Sequence, residues 1–158
     1  MAKKNVQFYQ LNKVLAKMNQ EFAKLGGEPT TQALLHAAIL LRRDMKKTSP
    51  KVPIDTHNLE MSWFVVTNVG QAQSGGSLKT AKDQANHQRV TTGAITQVAG
   101  KSPAVITGFS ANYATYVHEA RKGMKYREPG AGPKFFQAAL ARNRKKILQL
   151  MRDGIKVD

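Results

Sequence analysis

The chain has no cysteine in its 158 residues. Disulfides, thiolate nucleophiles and cysteine-type zinc sites are therefore excluded, and the absence fits a reducing compartment. Long apolar runs are missing too. No stretch approaches the ~20 residues of a membrane span. The basic start Met1-Ala2-Lys3-Lys4-Asn5 is not followed by the apolar core of a signal peptide. The expectation is a protein that is soluble, or assembles from a soluble pool, with no membrane contact. Acidic residues are scarce, 10 against 25 Lys plus Arg, for a formal net charge of +15. So large an imbalance implies a polyanionic partner or an acidic protein neighbour.

Catalytic signatures are also lacking. His36, His57, His87 and His118 are scattered, and none stands in a metal-binding spacing such as HExxH. His118 and Glu119 are neighbours, which on a helix point different ways, and His118 is expected to be a surface histidine. Ser62, Ser74 and Ser110 sit in no nucleophile-elbow context. Gly130-Ala131-Gly132-Pro133-Lys134 lacks the spacing and terminal Lys-Ser/Thr of a phosphate loop. No carboxylate cluster supports metal-assisted hydrolysis. The expectation is a protein that is not an enzyme and takes no cofactor.

What is present suits one globular domain over residues 1–158: 41% hydrophobic residues with 22% charged. A chain this long buries roughly 70% of its unfolded surface. Phe8, Leu11, Leu15, Met18 and Phe22 form one helical stripe over Asn5 to Lys24, which Gly26 and Gly27 stop. A second helix is expected from Thr30 or Thr31, with Leu34, Ala38, Leu41 and Met45 buried. Its last turn holds Arg42, Arg43, Lys46 and Lys47, and Ser49-Pro50 ends it. The two should form a helical hairpin. Trp63 to Thr67 reads as a strand. Residues 70–88 are polar and glycine-rich and read as a long, mobile loop. Arg89 to Ala99 and Pro103 to Phe109 are predicted as two further strands joined by a Gly100-Lys101-Ser102 turn.

Asn112 to Glu119 is a short predicted helix held by Tyr113, Tyr116 and Val117. A basic loop from Arg121 to Ala131 includes Arg121 and Lys122. Pro133 fits the first turn of a long C-terminal helix, with Phe136, Leu140, Asn143, Ile147, Leu150 and Met151 on its inner stripe. Arg142, Arg144, Lys145 and Lys146 lie on its opposite side. Truncating Tyr116 or Phe136 to alanine is expected to cost about 3 kcal/mol. The predicted fold is α+β: a small, largely antiparallel sheet of three to four strands, packed with an N-terminal helical hairpin, a short helix and a long C-terminal helix.

Two segments carry a family likeness. Ser49-Pro50-Lys51-Val52-Pro53-Ile54-Asp55-Thr56-His57-Asn58-Leu59-Glu60-Met61-Ser62 resembles the "Pro, Val/Ile, Asp, Thr, Gly, Asn/Lys, Leu, x, x, Ser" segment of a family of tailed-phage minor tail and neck proteins. Gly108-Phe109-Ser110-Ala111-Asn112-Tyr113-Ala114-Thr115-Tyr116-Val117-His118-Glu119, followed by Pro129-Gly130-Ala131-Gly132-Pro133-Lys134-Phe135-Phe136, resembles its "Tyr-Ala-x-Tyr-Val-His-Glu … Gly-Pro-Lys-Phe-Leu" signature. The likeness runs from Leu34 to the C-terminus. His57 stands where the family has a turn glycine, so that turn lacks an easy positive φ. Residues 70–88 look like an insertion.

The resemblance implies a structural virion protein that joins head to tail or completes the tail, assembled in the host cytoplasm and located in the neck. Its implied partners are further copies in a ring, a head connector or head-closure protein, and a tail terminator or tail tube protein. A closed ring is expected because subunits between coaxial assemblies share their rotational axis, with a hexamer favoured over a dodecamer. The motif residues read as architecture: Asp55, Thr56 and Leu59 fix a turn, Tyr113, Tyr116, His118 and Glu119 the short helix, Pro133 and Phe136 the last one. The basic side chains named above are the interaction candidates. The alternative is a basic nucleic-acid-binding accessory protein. Nonspecific DNA contact stays open, whereas no sequence-reading motif is present.

Overall fold

The computed structural model of the protein describes residues 27–54, 57–101, 103–120 and 123–155. The predicted helix over Asn5 to Lys24, and with it the first arm of the hairpin, lies outside the described residues. So do Asp55, Thr56, Arg121 and Lys122. The architecture is α+β. In chain order it comprises α1 (Gly27–Lys47), α2 (Asn58–Met61), β1 (Trp63–Thr67), β2 (Gly70–Ser74), α3 (Ala81–Val98), β3 (Val105–Phe109), α4 (Ala114–His118) and α5 (Phe135–Ile155). The strand order is β2-β1-β3, with β1 antiparallel to both neighbours.

β1 explains the layering. Its five residues Trp-Phe-Val-Val-Thr are all buried, because the strand is covered on both faces. Trp63 and Val65 point into one core with Ala38, Leu41 and Met45 of α1 and Phe135 and Ala139 of α5. Phe64 and Val66 point into a second core with Ala94 and Val98 of α3. Period-two alternation therefore delivers apolar side chains to both sides, and an unbroken apolar run results. α5 runs antiparallel to α1, with Arg142 beside Asp44 and Gly154 against Ala33.

Two expectations are corrected. Residues 70–88 are not one long loop: the chain pairs β2 with β1 and then enters α3. The predicted strand from Arg89 to Ala99 is helical as far as Val98, with Ala99 capping the helix. Thr80 caps α3, its hydroxyl oxygen accepting the Asp83 N–H at 3.1 Å and its O–H donating to the Asp83 carboxylate at 2.6 Å. Thr91, Ala94 and Val98 recur at helical spacing on its buried face. This stripe and cap outweigh the strand propensity of Val90, Ile95 and the threonines. Gly100, at φ 69°, closes α3 in the left-handed conformation, so it does not turn a hairpin between strands.

Smaller differences follow from packing. α1 already includes Gly27, the first described residue, so Thr30 and Thr31 are buried within it and do not cap it. The stripe of α5 is rotated from the predicted one. Phe135, Ala139 and Asn143 are buried, whereas Leu140 is exposed and Phe136 only half-buried. Asn143 satisfies its amide inside its own helix, donating to the Ala139 carbonyl at 2.9 Å.

Candidate functional site

The two motif segments, far apart in sequence, meet at one end of the core. Lys51 forms a parallel bridge with Ala131. Its N–H donates to the Gly130 carbonyl at 2.8 Å, and its carbonyl accepts from the Gly132 N–H at 3.3 Å. Pro133 and Lys134 then carry the chain into α5, with Lys134 in the left-handed region at φ 59°. The Lys134 N–H donates to the His118 carbonyl at 2.8 Å, which ties the start of α5 to the end of α4.

Phe135 sits at the centre of this junction and is almost wholly buried. Phe109 and His118 both meet its ring edge-on, at 5.7 and 4.9 Å between centroids. His118 and Glu119 do pair: His118 Nδ1 lies 2.7 Å from Glu119 Oε1. The expectation that they diverge fails because α4 ends at His118 and Glu119 is already outside the helix. His118 is therefore no surface histidine but a packing residue. Lys134 Nζ bonds the other Glu119 oxygen, so it is not free to hold an anion. The Lys134 hydrogen bond, then that of His118, holds the Glu119 carboxyl below the usual range.

The first motif segment forms a second anchored turn. His57 adopts φ 60°, so the histidine takes the left-handed conformation that was expected to need glycine. Leu59 is buried in the main core. Glu60 is buried between Lys46 and His57, forming an ion pair with the Lys46 ammonium and lying 3.4 Å from His57 Nδ1. Burial raises the pKa of its carboxyl. The hydrogen bonds from Lys46 and His57, with their charges, outweigh that and leave it lowered. From the sequence alone, Glu60 is only a chance carboxylate partner of Asp55; its ion pair with Lys46 joins residues on separate elements and leaves no local signal.

Tyr116 corrects an expectation outright. Its ring is 71% exposed, because α4 is a single short turn that packs through Ala114 and Val117. Tyr113 is also partly exposed. Beside α4, an apolar recess of about 300 Å³ opens against β3, lined by Thr107, Phe109, Thr115, His118, Phe135 and Phe136, among others. His118 Nε2 is buried there without a hydrogen-bond partner among the described residues.

The basic candidates divide into two groups. Arg42 lies over the Trp63 ring at 4.5 Å and donates to the Gly75 carbonyl at 2.8 Å. Lys46 is held by Glu60, and Arg142 Nε donates to Asp44 at 3.0 Å. These three hold the fold together. Arg43, Lys47, Arg144, Lys145 and Lys146 are exposed and form the cationic surface of α1 and α5. Among the described residues, no group of three or more His, Asp or Glu side chains is placed to hold a metal ion. No described helix is long and apolar enough to cross a membrane.

The arrangement defines a class only at the level of fold: a small α+β domain whose sheet is covered by helices on both faces. Neither a protein-family model, nor a curated protein, nor a solved structure matches the chain.

Proposed function

We propose that this chain is a structural virion protein of a tailed phage. It forms part of the neck that joins head to tail, and acts by association with no reaction. The observation that supports this reading is the junction itself. The residues that carry the family likeness spend their chemistry on geometry: Leu59 and Phe135 are buried anchors, and His118, Glu119 and Lys134 bind one another. A subunit whose function is shape needs such fixed joints. In the virion it stands as a closed homo-oligomeric ring, six-fold in preference to twelve-fold, between a head connector or head-closure protein and a tail terminator or tail tube protein.

Deleting the gene tests the reading. The expected result is filled heads and separate tails that fail to join. Intact infectious particles at normal titre would refute it. The second reading, a basic nucleic-acid-binding accessory, is favoured by the exposed Arg144, Lys145 and Lys146 beside a net charge of +15. Against it, Tyr116, the most exposed aromatic among the described residues, sits on α4 and not on α5, so it is not interleaved with that run of charges.

A further inference from the structure

Val69 is the most exposed large apolar side chain of the described surface, at 86%. It tops the two-residue turn between β1 and β2, where nothing in the fold requires a valine. β2 is one edge of the sheet. The apolar recess lies at the other edge, against β3. A knob on one edge and a hole on the opposite edge are the two halves of a head-to-tail contact between identical subunits.

Among the described residues, no strand pairs with the outer edge of β3. The Ser110 N–H donates to the Ser62 carbonyl, and bonded pairs alternate along an antiparallel ladder. The backbone groups of Val105, Thr107 and Phe109 therefore face outward, away from β1. Neither β2 (Gly-Gln-Ala-Gln-Ser) nor β3 (Val-Ile-Thr-Gly-Phe) has the lysine or proline that blunts a free edge. The rings of Phe109, His118, Phe135 and Phe136 line the recess. Aromatic side chains lining an apolar pocket suit the centre of an interface.

We propose that the recess between β3 and α4 receives Val69 of a second copy of this chain, so that each subunit gives a knob at its β2 edge and takes one at its β3 edge. The inference rests on the ring reading above and names its seam. A geometric consequence follows. Thr67, next to the knob, pairs with Val105, whereas the recess lies at the Phe109 end of β3. Knob and hole are thus at opposite ends as well as opposite edges of the sheet. Copies related by pure rotation lie at one height, so the strands must tilt against the ring axis.

The chain has no cysteine, so engineered pairs report cleanly. The full-length double variant Val69→Cys/Thr115→Cys is oxidised in about 0.5 M salt, where repulsion between the cationic copies is screened. The expected result is a covalent ladder extending beyond dimer. Val69→Cys alone and Thr115→Cys alone should stay covalently monomeric, because the seam sets each sulfur against a residue that has none, and mixing the two single variants should give a dimer. A double variant that stops at dimer, or single variants that dimerise on their own, overturns the seam. Electron microscopy of the unoxidised wild-type protein, in the same salt or bound in particles, reads the ring separately. Rings without a ladder refute the seam and leave the ring standing. A ladder that grows without closing upholds the seam and refutes the closed ring. As a second readout, Val69→Lys should lower the self-association of the wild-type sequence at least about tenfold, while Val69→Leu retains it. Equal association of the two variants also overturns the seam.

Discussion

The His118 ring stands edge-on to the buried Phe135 ring, with centroids 4.9 Å apart and planes at 85°. Phe109 does the same from another side at 5.7 Å and 89°. Phe135 is thus the joint between β3, α4 and α5, and its removal leaves a cavity that the backbone tie from Lys134 to His118 keeps from collapsing. Phe135→Ala should destabilise the protein by about 3–5 kcal/mol. Tyr116→Ala, at an exposed site, should stay within about 0.5 kcal/mol of wild type. Denaturant titration of both variants checks the contrast, and equal losses would show that α4 packs differently.

Gly75 is fixed by sterics. A Cβ there would lie 2.4 Å from the Glu60 carbonyl oxygen and 2.5 Å from that of Met61. These are backbone atoms of α2 that cannot rotate away. The Gly75 N–H also donates to the Trp63 carbonyl at 2.6 Å, so moving the loop breaks the end of the sheet. Gly75→Ala should cost about 1–3 kcal/mol as an overpacked site. Gly93→Ala is the control. It lies exposed on α3 with open space around it, and should gain about 0.5–1 kcal/mol from helix propensity. Thermal melts that rank the two the other way round would contradict the packing.

These sites show what the sequence disclosed. β1 was legible because a strand buried on both faces is a continuous apolar run. β3, α1 and the existence of α5 were legible from similar runs and stripes. β2 was not, since Gly-Gln-Ala-Gln-Ser pairs through its backbone and carries no side-chain signal. α3 was misread because its threonines, Val90 and Ile95 favour strand locally, while the Thr80 cap and the stripe ending at Val98 were passed over. The phase of α5 slipped by one residue. Phe135 and Phe136 are equally apolar, so composition does not say which faces inward; the chain enters α5 through the left-handed Lys134 with Phe135 buried. The junction at Phe135 joins residues remote in sequence, so its ion pairs were beyond periodicity.

Glu60 makes a pH prediction with a definite sign. Its folded pKa is lowered, so the unfolded chain, near the ordinary value of about 4.3, binds the proton more readily. The stability contributed by its pairing with Lys46 is fully present at neutral pH. It is lost as the pH falls through about 4 and below. In Glu60→Gln the acid side of the stability profile should flatten in that window. Lys46→Met should destabilise near pH 7, leaving a buried carboxylate without its cation. Denaturation midpoints between about pH 3 and 7 give the comparison, and an unchanged acid slope in Glu60→Gln would exclude this role.

Salt separates association through the proposed seam from binding to a polyanion. Each copy carries a formal +15, so identical subunits repel at low ionic strength. Their contact, if apolar at Val69 and the recess, gains as that repulsion is screened. The Debye length falls from about 10 Å at 0.1 M salt to about 3 Å at 1 M. Self-association should therefore strengthen with added salt. Binding to duplex DNA should do the opposite, because each neutralised phosphate releases counterions and steepens the loss by about 0.9 in the log–log slope. Changing the exposed Arg144, Lys145 and Lys146 together to glutamine lowers the charge to +12, three below +15. That variant should self-associate at lower salt than wild type and bind DNA with a shallower slope. Sedimentation across a salt series measures the first, and fluorescence anisotropy with a labelled duplex the second. If self-association instead weakens with salt as steeply as DNA binding does, the cationic faces of α1 and α5 form the contact, and the nucleic-acid reading takes precedence over the ring.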